Sequence, residues 1–456
     1  MTGSTACTGL SLLLVAAAAG LAGDTPDLTN RLGAEEFRRG NYAAARDCFR
    51  RSLEMLPGDD PAAALALTNL AEAHQALGDY AAAESLLIRA QALREKHFGT
   101  GSVQAGSNLA SLGVVYLRAG RLADAQGALG RALEILEAAA GGADPAVARA
   151  ANGLGEVYRA RGDLDNAERM LLRARAIYDG AGASEARELA VVLTNLGSLA
   201  RARGRYNEAE RRLRSAVAIW EAQPGAPHPR LGAALSSLGE TYRLEGRFSA
   251  ARESFERALA VLETTLGPAH PDTAAVLHNL TLVEMSRGEL DAAAENLGRA
   301  RERFEAALGV AHPKTAACLN SLGVVEHRRR RYGAAERLFR SALETQERAI
   351  GSSHPDTAAT LLNLSAVLSV SGRIAEAEDA VMRAIAARER SLGRDHPETG
   401  AALAVYARLL RAARRKSEAR RFEERARTIF RQSLRNSGRG SVVDVTELDV
   451  TSPARR

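Results

Sequence analysis

Aromatic side chains are scarce, at 4% of 456 residues, and only three cysteines occur. Few aromatics argue against one broad core and for helices that approach closely on small residues, an expectation strengthened by the abundance of alanine. The cysteines, Cys7, Cys48 and Cys318, show no metal-ligand spacing. Cys48 and Cys318 lie more than six repeats apart, too far for a disulfide in an extended molecule, and read as small apolar residues. Lysine is nearly absent: Lys96, Lys314 and Lys416 are the only ones. The net charge of +6 is therefore carried by arginine, and acidic residues are interleaved with it almost throughout. That pattern suits a solvated, ion-paired helix surface, and the shortage of aromatics removes the usual base-stacking platform. Nucleic acid is thus disfavoured as a partner. Also missing are a nucleophile elbow, a phosphate loop, a His-Glu-x-x-His motif and any paired catalytic carboxylates. No insertion breaks the periodicity to house an active site. The expectation is a non-enzyme with no cofactor, no metal and no small-molecule substrate.

What is present is repetition. The stretch Gly267-Pro-Ala-His-Pro-Asp-Thr-Ala-Ala is followed by apolar Leu277, Leu280 and Val283, then Gly288-Glu-Leu290, Ala293 and Ala300. Leu308-Gly309 and His312-Pro313 begin the same pattern 42 residues later. A glycine turn recurs at Gly40, Gly78, Gly120, Gly162, Gly204, Gly246, Gly288 and Gly372, with Arg330 and Arg414 in the equivalent places. After a first step of 38 every interval is 42. Five residues beyond each turn stands alanine, and twelve beyond it alanine again, except Ser52. Glycine can end a helix at positive φ, and the alanines mark crossings that a larger side chain would overpack. Each unit reads as two antiparallel helices, in the sixth copy Pro229–Glu245 and Phe248–Leu266. Stacked pairs would share one continuous core.

The ends differ. Residues 1–23 hold a short apolar run, Leu10 to Ala22, ending in small residues. It reads either as a signal peptide, which would export the chain rather than leave it cytoplasmic, or as an apolar first helix. The repeat region is placed at 24–431. The last copy carries a charged second helix, Glu418 to Phe430, as a terminal cap needs. Residues 432–456 lose the period and read as a disordered tail. Its segment Asp444-Val-Thr-Glu-Leu-Asp449 could dock near Arg408 and Arg411 or simply solubilise the chain.

Glycine turn, following aromatic and two alanines at these offsets resemble the tetratricopeptide repeat. The 42-residue period with His-Pro-Asp-Thr-Ala is similar to kinesin light chains and their bacterial relatives. The resemblance spans roughly residues 29–430 and implies an all-α, right-handed α-solenoid of about ten helix-turn-helix repeats. It also implies a protein–protein interaction scaffold that takes a peptide or helix of a partner on its concave face. By that likeness the first helix of each pair lines the groove. The implied contact residues are Asn152, Glu156, Arg159, Thr194, Arg201, Ser236, Glu240, Arg243, His278, Asn320, His327, Arg328, Arg408 and Arg411. The family's two-carboxylate clamp needs Lys or Arg at the fifth place of a unit with Asn at the ninth, and no copy has that pair. The alternative is a regulatory or nucleic-acid-associated binder using the basic C-terminal repeats.

Three features have a bland structural reading. His228, His270, His312, His354 and His396, each followed by proline, form a ladder that suggests metal binding but fits helix starts better. Asn69, Asn195, Asn279 and Asn363 are expected to bond backbone in the adjacent helix, leaving Asn152 and Asn320 for ligand. Arg328 to Arg331 could hold a phosphate or an acidic segment, but charge runs at helix ends usually face water.

Overall fold

A computed structural model describes residues 25–39, 41–224 and 227–436. The expectations for residues 1–23, Gly40 and the tail beyond 436 lie outside the described residues. Among those described there are twenty α-helices and no strand. In order they are α1 Pro26–Arg39, α2 Tyr42–Glu54, α3 Pro61–Ala76, α4 Tyr80–Phe98, α5 Val103–Arg118, α6 Leu122–Ala140, α7 Pro145–Ala160, α8 Leu164–Ala181, α9 Ala186–Ala202 and α10 Tyr206–Glu221. Then come α11 Pro229–Leu244, α12 Phe248–Thr265, α13 Pro271–Arg287, α14 Leu290–Leu308, α15 Pro313–Arg328, α16 Tyr332–Ala349, α17 Pro355–Val370, α18 Ile374–Leu392, α19 Pro397–Ala412 and α20 Lys416–Asn436. The last helix continues four residues past the point where the sequence period stops. The chain divides into two compact units, Met1–Leu199 with Ser215–Leu231, and Ala200–Arg214 with Gly232–Arg456. Within each, helix pairs stack as a solenoid, with sequence-adjacent helices in contact from α1 to α8 and from α12 to α20.

The turns explain why each pair forms. Gly288 ends α13 at φ 80°, and its N–H and that of Glu289 bond the carbonyls of Met285 and Glu284. Arg330 repeats this geometry at φ 62°, with Arg331 N–H on Glu326 and its own N–H on His327. A side chain there pays a steric penalty that glycine escapes. The alanines five residues past the turn, Ala45 through Ala419, are at most 1% exposed. Those twelve past it are at most 3% exposed, and the exception has a reason: the Ser52 hydroxyl donates to the Pro26 carbonyl at 2.7 Å. Where the first helix carries glycine at its crossing, the second presents a bulky ring or leucine. Gly33 faces Phe49, Gly113 faces Leu129, Gly239 faces Phe255 and Gly323 faces Phe339.

The histidine ladder caps helices. Nδ1 of His228, His270, His312, His354 and His396 accepts the backbone N–H two residues on, at 3.1–3.2 Å. Asp60 and Asp144 do the same in earlier copies. A threonine that sequence reasoning passed over completes the loop. Thr273, Thr315, Thr357 and Thr399 each donate to the carbonyl of the glycine six residues back, at 2.9–3.0 Å. Cys318 is buried in an apolar cluster, its thiol pushed up to about 12 by burial, while Cys48 is half-buried rather than fully interior.

Candidate functional site

The predicted residues fall into small clusters on the first helices of the pairs. In the first unit, Asn195 Nδ2 donates to Asn152 Oδ1 at 2.9 Å and to Glu156 Oε1 at 3.1 Å. Glu156 also pairs with Arg118 at 3.1 Å and is buried. The asparagine ladder thus bonds side chains, not the backbone expected. Asn69 donates to Asn30 and Asn363 to Asn320, at 3.1 and 3.0 Å. Asn152 and Asn320 are therefore partners in clasps between adjacent repeats, each joining residues 43 apart. Thr194 turns its hydroxyl to Ala190 of its own helix. Arg159 keeps Nε buried without an acceptor.

In the second unit, Glu240 accepts a two-pronged bond from Arg243, at 3.0 and 2.9 Å, with Arg201 at 3.7 Å. Ser236 is half-buried one turn before. His278 Nε2 meets Ser321 Oγ at 3.0 Å, and burial lowers its basicity. His327 packs edge-on against Tyr332 with Nε2 buried and unpartnered, and burial lowers it too. Arg408 Nε is likewise buried without an acceptor.

The basic runs are internally engaged. Arg328 donates to the Met285 carbonyl at 2.7 Å, and Arg329 to Leu290 O and the carboxylates of Glu326 and Asp291. Arg331 reaches Glu326, and Arg411 forms a two-pronged pair with Glu423. These side chains hold adjacent helices together, which is why they do not form the open basic surface that the sequence suggested.

One inner-face cluster was only partly legible. Glu72 of α3 keeps some solvent access, yet protein on all sides raises its carboxyl above the ordinary value. The charges of Arg149, Glu188, Arg230 and Arg94 act on it. They come from α7, α9, α11 and α4, so residues 158 positions apart in sequence converge within the first unit. Arg149 holds the second place of its unit, where the family's ligand contacts begin. Glu188 and Arg230 stand one turn nearer the helix start, outside that scheme.

Among the described residues no group of three or more His, Cys, Asp or Glu is placed to hold a metal. No described helix is long and apolar enough to cross a membrane.

The tetratricopeptide repeat family matches residues 188–264, 272–348, 323–390 and 356–432, and a MalT-like TPR region matches 34–224. No curated protein matches the chain. Among solved structures, BtubC (BKLC) from P. vanneervenii is 24% identical, covering 50% of this chain and 91% of its own, with a TM-score of 0.44. A putative kinesin light chain from Podosopora anserina is also 24% identical, over 46% of this chain and all of its own, at 0.40. A Rap protein complexed with Competence and Sporulation Factor is 15% identical, over 86% of this chain and 99% of its own, at 0.53. Matched over more than half its residues, and built throughout on one recurring turn and crossing, the chain belongs to the tetratricopeptide repeat family.

Proposed function

We propose that this protein is a non-enzymatic scaffold that holds an extended or helical segment of a partner protein on the inner face of its first helices. The observation that carries this reading is the cluster around Glu72. Three repeats besides its own send charged groups toward it, and it keeps solvent access although protein surrounds it. That combination describes a concave, polar wall. Its mixed charge suits a partner backbone and polar side chains, while the ridged helices supply shape. Tetratricopeptide repeats mediate protein–protein interaction in general. The Rap protein sharing this fold is itself seen in complex with a factor. The nucleic-acid alternative finds no support, because the C-terminal arginines that suggested it are paired internally.

The test is site-specific photocrosslinking. A photoreactive residue replaces Arg149 in one preparation and the exposed, second-helix Arg169 in another. Adducts with a partner protein are expected from position 149 and not from 169. Equal yields from both, or none from position 149 in a folded protein, would remove the inner-face assignment.

A further inference from the structure

The first unit contains a cavity of about 470 Å³ whose lining shares no residue with the Glu72 cluster. It lies where the end of α1 meets the start of α9, the end of α10 and the start of α11. The contact is direct: Arg187 Nη1 reaches the Arg38 carbonyl at 3.5 Å, across 149 residues of sequence. No repeat-level pattern foretells it.

The wall chemistry is specific. Trp220, the only tryptophan of the chain, stacks on His228 with ring centroids 4.8 Å apart and planes 15° from parallel. Both rings line the cavity and give it an aromatic wall. The Trp220 indole N–H is buried, 5% of the residue being exposed, and has no acceptor. His228 Nδ1 accepts the Arg230 N–H at 3.1 Å, so the neutral ring carries its proton on Nε2 and offers a donor there. Arg38, Arg39 and Arg187 add three guanidiniums against a single carboxylate, Glu35, which Arg39 already engages. Arg187 Nε satisfies the Gln223 side-chain oxygen at 3.0 Å. What remains uncommitted is therefore donor capacity and positive charge. Arg38 and Arg39 are exposed and Arg187 is half-buried, so these guanidiniums stay hydrated at the mouth of the cavity while the Trp220 N–H lies inside.

We infer that this cavity binds a small organic anion, a carboxylate or phosphate ester on a planar apolar body. The body lies against the Trp220–His228 stack, and the oxyanion faces Arg187 and Arg38. The volume suits a molecule of small-metabolite size. The site adjoins the protein-binding face proposed above through Arg187 and His228, beside Glu188 and Arg230, but shares no lining residue with it and does not depend on it. By tying the first repeat to the fifth, its occupant would stiffen the unit.

Trp220 reports directly on the site. The full-length protein is titrated with phenyl phosphate and with benzoate while tryptophan fluorescence is followed; benzyl alcohol serves as the neutral analogue. Both anions are expected to give a saturable change, and the alcohol none. Arg187→Gln should weaken binding at least about tenfold, the loss typical of a charge-assisted bond. That variant also removes the clasp to Arg38, so Arg38→Gln is measured beside it. The Arg38 guanidinium is exposed and donates to Ala34 within its own helix, so its loss is expected to leave the fold intact. A similar tenfold weakening is expected from it. No saturable response to either anion, an equal response to benzyl alcohol, or unchanged affinity in a folded Arg38→Gln protein would overturn the assignment.

Discussion

Gly323→Ala probes the crossing on which every repeat is built. A methyl on Gly323 would sit 2.5, 2.7 and 2.9 Å from three ring carbons of Phe339. Carbon atoms in ordinary contact stand about 3.5–4.0 Å apart, so a shift of about 1 Å is needed. Phe339 is 0% exposed and lies among Ala335, Leu343 and the interior of α17 and α18. The ring has nowhere to swing, and the helices must part. Overpacking of this kind costs about 1–3 kcal/mol. In a solenoid the damage should stay near the altered interface. Hydrogen exchange is expected to speed up in α15, α16 and α17, with α3 to α6 unchanged, and the urea midpoint should fall. A smaller partner should relieve the strain: Ser365 and Val381 occupy the same two places in the next copy. Phe339→Val alone costs stability by leaving a cavity. Added to Gly323→Ala, it should cost less than the two separate losses combined, by about 1 kcal/mol or more. Strict additivity, or wild-type exchange in Gly323→Ala, would refute the crossing argument.

Other consequences are equally accessible. Arg330 stands at φ 62° where sister repeats have glycine, so Arg330→Gly should stabilise the protein by about 1 kcal/mol in thermal melts; a lower melting temperature would contradict the turn geometry. Burial and then nearby Arg230 and Arg187 lower His228 to about 3, and burial and then Lys314 lower His312. In the unfolded chain both ionise near 6.5, so the stability they confer is complete above that pH and drains away as the pH falls below it. Between pH 6.5 and 5 the His228 contribution lost is about 2 kcal/mol. Urea midpoints at pH 7.5 and 5 should show the decline, and His228→Asn, which preserves a capping acceptor, should flatten it. Arg252 pairs with Glu289, whereas neighbouring rungs run the other way, Arg247 to Glu210 and Arg373 to Glu336. Glu289→Arg should destabilise this interface by bringing two guanidiniums together, and Arg252→Glu in the same chain should restore it; a double variant no better than the single one would show that the rung is unimportant.

Much of the scaffold was legible because its requirements recur locally. Helices expected at Pro229–Glu245 and Phe248–Leu266 are found at Pro229–Leu244 and Phe248–Thr265. Ala251 and Ala258 are fully buried, as a close crossing demands. Ligand-facing residues were harder to read. Asn152 and Asn320 are polar and variable between copies, as contact residues should be, yet they serve clasps to Asn195 and Asn363. A polar side chain at an inner-face position looks the same in sequence whether its partner is a ligand or the next repeat.

The repeat, its turns, its crossings and the helix starts at the His-Pro pairs follow from the amino-acid order alone. Each of these depends on residues within one unit, and ten copies report the same constraint. Folding in three dimensions sets which arginines are already engaged, which charges gather around Glu72, and that Arg187 meets the end of α1 beside a cavity lined by Trp220. Those contacts arise from small rotations added repeat upon repeat. No single 42-residue window contains that sum, so no comparison of the chain with itself could reveal it.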